Sequence, residues 1–162
     1  MKTLNLMKGS LAFLLFLFCS LSFGQATDPV KILLTVNTSE LGNDNNAPGG
    51  CTLTATPASV VISGANNPKM FTIEVKDGTD IEWEGVTQDG DEVKIKKIGF
   101  IKGINIFDSR NIFGKIKDGK EKVNVKVKRK TAPGLDYEYL IVFKVKEFGR
   151  YTLDPIIKVG GQ

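Results

Sequence analysis

The sequence predicts an all-β domain, an antiparallel immunoglobulin-like (Greek-key) sandwich of about eight or nine strands. Three observations carry this. Apolar residues recur at every second position in run after run, most clearly in residues 137–146 (YEYLIVFKVK) and 150–159 (RYTLDPIIKV). Breaks rich in Gly, Asn, Asp and Pro separate these runs at intervals of about 8–15 residues. No stretch after residue 24 shows a helical period.

In chain order, residues 30–36 (VKILLTV) form the first predicted strand, followed by a flexible Asn/Gly/Pro-rich loop through residue 50. Residues 52–56 and 59–63 are short strands on either side of Pro57. In residues 69–76, Phe71, Ile73 and Val75 share a face. Asp77-Gly78 and Asp89-Gly90 are turn signals. They bracket residues 80–84, where Ile81 and Trp83 face one way and Glu82 and Glu84 the other. Residues 92–101 begin with Val93 and Ile95 in phase and then switch to Ile98 and Phe100. That slip at Lys96-Lys97 predicts a β-bulge. Residues 102–118 are irregular but not polar. Residues 121–130 alternate again, with Val123, Val125 and Val127 inward and lysines outward. The final two runs, joined through Gly149, make a β-hairpin.

The N-terminus reads as a secretory signal peptide. Lys2 and Lys8 precede an apolar run at residues 11–18, and Ser22 and Gly24 supply the small residues of a cleavage site after Gly24. The apolar run is shorter than the roughly 20 residues of a spanning helix. Export to the periplasm, the cell surface or the medium is expected, with no transmembrane anchor after cleavage. The expected organisation is residues 1–24 as signal, 25–50 as first strand plus loop, and 51–162 as the main domain, with 25–162 forming one unit.

Cysteine and histidine content narrow the chemistry. Cys51 is the one cysteine after residue 24, so it makes no internal disulfide. Three options stand for it: a buried thiol, an intermolecular bridge or a reactive group. Histidine is absent, which excludes Ser-His-Asp and Cys-His catalysis and His-ligated zinc or copper within this chain. Charge divides unevenly. Residues 25–92 carry three Lys/Arg against eleven Asp/Glu, and residues 93–162 carry seventeen against seven. Two readings stand: acidic and basic strands pair across the sheet, or a basic face meets an anionic partner.

The ending Tyr151-Thr152-Leu153-Asp154-Pro155-Ile156-Ile157-Lys158-Val159, a strand broken by Asp-Pro, resembles small exported bacterial proteins of the DP-EP type. The resemblance covers the C-terminal third. The second, Glu-Pro element of that name is missing, since the chain ends Gly160-Gly161-Gln162. It implies a small β-sandwich and brings no activity with it.

Three stretches are candidates for chemistry. The acidic residues Glu74, Asp77, Asp80, Glu82, Glu84, Asp89, Asp91 and Glu92 offer oxygen ligands for calcium, though their spacing is not that of an EF-hand. The same run offers Glu82 and Glu84 as a carboxylate pair for hydrolysis, a geometry that any E-x-E strand shares. The plainer account is turn chemistry and a solvated strand face. The basic run contributes Lys126, Lys128 and Lys130 to a ridge for an anionic polysaccharide. It has no interleaved aromatics, so nucleic acid is not expected. The alternative is lysine guarding an exposed strand. The connection around Phe107, Arg110 and Phe113 offers either a partner-binding surface or core anchors between sheets. Trp83 reads as a buried core residue rather than a sugar platform.

No catalytic residue, cofactor or resident metal is assigned. The expected role is non-enzymatic binding or structure in the cell envelope, with an envelope protein or an anionic polysaccharide as partner. A carbohydrate- or calcium-binding accessory module is the alternative, and a carboxylate hydrolase the remote one.

Overall fold

The computed structural model describes residues 28–46, 48–65 and 67–160. The predicted signal peptide, residues 1–24, lies outside them. The described residues form twelve strands: β1 Val30–Val36, β2 Cys51–Thr56, β3 Val61–Ser63, β4 Thr72–Val75, β5 Asp80–Thr87, β6 Glu92–Lys102, β7 Asn111–Phe113, β8 Lys115–Lys117, β9 Lys120–Lys126, β10 Tyr137–Val145, β11 Gly149–Leu153 and β12 Ile156–Val159. The described residues hold no α-helix, and no helix among them is long and apolar enough to cross a membrane.

The strands join into one nearly barrel-shaped sheet with the order β2-β1-β5-β6-β10-β12-β4-β3. Off this path, β11 pairs with β10, β7 with β6, β9 with β5, and β8 with β9. The sheet is mixed, which corrects the purely antiparallel expectation. β1 runs parallel to β5, and β12 runs parallel to β4. Alternation reports which face of a strand is buried. It is silent on strand partner and direction, so neither parallel pairing leaves a trace in the local pattern.

The strand count also rises from the expected eight or nine. Asp154-Pro155 divides the last predicted strand in two. β11 pairs with the C-terminal half of β10, and β12 passes on to β4 while touching only Tyr137 and Glu138 of β10. The break therefore marks a bend within the sheet, and β12 lies between two partners rather than at an edge. β7 and β8 come from the connection expected to be irregular, and each is three residues long.

The loop after β1 closes a hairpin. Val36 faces Cys51, and the Asn37 N–H donates to the Gly50 carbonyl at 2.7 Å. Leu41 of this loop is buried, and the Asn45 carbonyl accepts from the Thr152 N–H at 2.8 Å. β1 itself lies between β2 and β5, inside the sheet. Cys51 is free and buried, and burial pushes its thiol up to about 11. At neutral pH it stays protonated and behaves as a small apolar residue.

The predicted bulge is present. Val142 of β10 faces Lys97 and Phe143 faces Ile95, so Lys96 is the extra residue of β6. A second register shift, between Glu138 and Tyr139, makes Ile101 extra as well.

The core is one cluster, with Trp83, Phe107, Tyr137 and Tyr139 at its aromatic centre. Trp83 meets Phe107 and Tyr139 edge-on at 6.2 and 5.8 Å, and its indole N–H donates to the Tyr139 hydroxyl at 3.2 Å. Tyr137 stacks on Tyr139 at 5.4 Å.

Gly103 lets β6 end where it does. Its φ is +90°, and a Cβ there would run into the Asp136 carbonyl. Gly103→Ala is expected to destabilise by about 2–4 kcal/mol, combining backbone strain with overpacking. Gly78 has a similar φ of +83° with open space around it, so Gly78→Ala is expected to cost only about 1 kcal/mol. Chemical denaturation of the two variants checks the difference. Equal losses would mean that the Asp136 contact is unimportant.

Candidate functional site

The outer face of β5 carries Glu82 and Glu84, and the fold brings lysines to both. β1 lies parallel beside β5 and supplies Lys31. β9 lies on the other side, with Asp80 facing Lys126 and Trp83 facing Val123. Beyond Val123, β9 carries Lys122 and Lys120 back over the carboxylates, while the end of β8 adds Lys117 and the β8–β9 turn adds Asp118.

Glu84 contacts Lys31 Nζ at 2.5 Å and Lys120 Nζ at 2.6 Å. Lys122 lies 3.3 Å from Glu82, 3.9 Å from Glu84 and 3.5 Å from Asp118. Lys117 reaches Glu82 at 3.9 Å. The expected solvated strand face is therefore corrected at Glu84, whose side chain is only 8% exposed beneath its lysines.

Burial alone would raise the Glu84 pKa. The hydrogen bonds from Lys120 and Lys31 outweigh that effect and bring it down to about 2. Burial likewise opposes the charge on Lys122, and Glu82 with its neighbours more than restores it, holding the ammonium above its usual range. This is the opposite of what a general acid needs, which is a carboxyl kept protonated near neutrality. Every carboxylate oxygen of the pair faces a lysine, so the E-x-E strand forms an ionic clasp.

No three His, Cys, Asp or Glu side chains converge in metal-ligating geometry among the described residues. The acidic residues expected to ligate calcium are therefore not gathered into one cluster. Asp80 is paired with Lys126 at 3.4 Å, and Glu92 accepts from the Glu121 N–H at 2.5 Å. Trp83 is buried, which removes it as a sugar platform.

The residues expected to bind a partner fall into different settings. Phe107 is in the core and offers no surface. Arg110 lies over the Phe100 ring at 4.6 Å. Phe113, on β7, is 66% exposed. Lys126, Lys128 and Lys130 are exposed, but only Lys126 belongs to a regular strand. Between them, Arg129 donates to the carbonyls of Asn105 and Phe107 at 3.2 and 3.0 Å and so pins the connection before β7.

A second set of cations lies on the outer face of β6, β10 and β11. Lys144 faces Lys94 on one side and Arg150 on the other, and all three are exposed. Sequence patterning missed these residues, because their adjacency depends on strand order. The phase slip at Lys96-Lys97 was the only local sign. Close to this row, Lys94, Lys144 and Lys146 line an open groove together with Asp91, Glu92 and Glu147.

No family model and no curated protein matches the chain. Among solved structures, the chain is similar to an inclusion body protein, PixA, from Burkholderia cenocepacia J2315. The TM-score is 0.61 at 13% identity, over 87% of this chain and 100% of that one. The likeness shows a shared fold.

Proposed function

We propose that this protein is an exported, non-enzymatic, β-sandwich-like domain that binds an anionic polymer of the cell envelope. One observation carries the reading. The carboxylates of β5 are held by the protein's own lysines, whereas Lys97, Lys144 and Arg150 have no carboxylate within 4.0 Å among the described residues. Surface cations that the fold does not neutralise, Lys144 and Arg150 exposed and Lys97 half-buried, raise the local concentration of a polyanion and speed its capture.

The N-terminal signal pattern and the resemblance of residues 151–159 to exported DP-EP-type proteins support export. The ionic clasp around Glu82 and Glu84 favours binding over hydrolysis. The PixA likeness contributes the fold only.

The test is retention of the mature chain on immobilised heparin at about 0.15 M salt. Retention that weakens steeply as salt rises is expected. Flow-through at that salt would end the reading.

A further inference from the structure

We propose that Lys94, Lys144 and Arg150 form a binding row for a linear anionic polysaccharide, laid across β6, β10 and β11 with Lys97 beside it. This rests on the polyanion-binding reading above and names its site.

The row follows from register. Lys94, Lys144 and Arg150 are direct cross-strand neighbours. Val93, Ile95, Phe143, Val145 and Tyr151 on either side of them are buried, so the three cations stand on one outer face. Strands lie about 4.8 Å apart, so the row spans about 10 Å.

Like charges directly opposite one another destabilise a sheet. Where β8 and β9 set Lys115 opposite Lys122 and Lys117 opposite Lys120, Glu82 and Glu84 supply countercharge to Lys117, Lys120 and Lys122. In the row, the one carboxylate within 4.0 Å among the described residues is Glu92, 4.0 Å from Lys94. An anionic chain laid over the row supplies the missing countercharge.

The bulge at Lys96 adds a fourth cation. In an unbroken strand, residues three apart point to opposite faces. The extra residue puts Lys97 opposite Val142, on the same face as Lys94 opposite Lys144. Lys97 in turn pairs with the exposed Phe113 of β7, which sets an aromatic ring beside the cations. A pyranose ring presents an apolar face of the kind such a ring packs against.

The cations lie in a line rather than converging on a point, which suits a chain with repeated charges better than a single compact anion. Asp91, Glu92 and Glu147 at the groove end repel a polyanion, so the ligand extends from the row toward Lys97 and Phe113. The exposed large apolar side chains of these strands and their turn, Phe113, Ile101 and Phe148, are separated by charged residues rather than gathered into one apolar face, which favours a polysaccharide over a lipid surface.

The experiment compares three mature proteins: the parent, the triple variant Lys94→Gln/Lys144→Gln/Arg150→Gln, and the triple variant Lys126→Gln/Lys128→Gln/Lys130→Gln. Binding to heparin and to polygalacturonate is measured across a salt series, and thermal melting is measured without ligand. The row variant is expected to bind at least tenfold more weakly, with a shallower salt dependence. It should melt at or above the parent temperature, because like-charge repulsion is relieved. The second variant should bind within twofold of the parent. Row-variant binding equal to the parent overturns the site, and if the second variant loses binding the polyanion reading survives without it. A parent that binds neither probe fails both. A lower melting temperature for the row variant would make the three residues structural. Preference of the parent for phosphatidylglycerol vesicles over both polysaccharides would overturn the ligand class.

Discussion

Replacing Trp83 by Ala is expected to cost about 3–5 kcal/mol, the range for emptying a large aromatic site in a core. Trp83 is buried where β5 crosses the aromatic cluster, in edge contact with Phe107 and Tyr139. The substitution leaves a cavity beneath β10 and removes the indole donor to the Tyr139 hydroxyl, stranding a polar group that burial already keeps protonated well above its usual pKa. Denaturant unfolding followed by circular dichroism measures the loss, since the variant lacks the chain's single tryptophan. A loss under about 1 kcal/mol would show that this cluster is not the centre of the core.

Glu84→Gln is the second large effect, expected to be on the order of 2 kcal/mol at pH 7. Breaking a fully buried ion pair costs about 3–5 kcal/mol. The lower figure applies because Lys31 and Lys120 are 46% and 42% exposed, and water screens the lysines left without a partner. In a domain of this size the corresponding fall in Tm is about 6–10 °C.

The pH dependence follows from the same group. The folded-state pKa of Glu84 is depressed to about 2, so its contribution is complete above the ordinary carboxylate range. It is lost as pH falls from about 4.5 toward about 2. The parent should therefore lose stability more steeply than Glu84→Gln across that window, and the two curves should converge at its acid end. Parallel curves would mean that Glu84 carries no such linkage.

Much of the fold was legible because a half-buried strand writes its buried face into every second residue. β1 matches its predicted span, and the phase slip at Lys96-Lys97 located the bulge. Trp83 and Ile81 were correctly placed inward for the same reason. Partner choice was not legible. The parallel contacts of β1 with β5 and of β4 with β12 join strands far apart in sequence, and a period of two is identical in either direction. β7 and β8 are too short to show a period.

The charged surfaces divide along the same line. That Glu82 and Glu84 share a face could be read from their spacing. That Glu84 lies beneath three lysines could not, because Lys31, Lys120 and Lys122 arrive from two other strands. The row of Lys94, Lys144 and Arg150 is likewise a product of register, and each member taken singly resembles an ordinary surface cation.

On the reading we propose, the basic residues have two roles. Lys31, Lys120 and Lys122 hold the fold, and Lys94, Lys97, Lys144 and Arg150 meet the ligand. Side-chain NMR of the lysines and arginines during titration with polygalacturonate tests that division most directly. The signals of Lys94, Lys97, Lys144 and Arg150 should move with the titration while those of Lys31, Lys120 and Lys122 stay in place. Movement confined to Lys126, Lys128 and Lys130, or shared with the lysines of the Glu84 clasp, would contradict it.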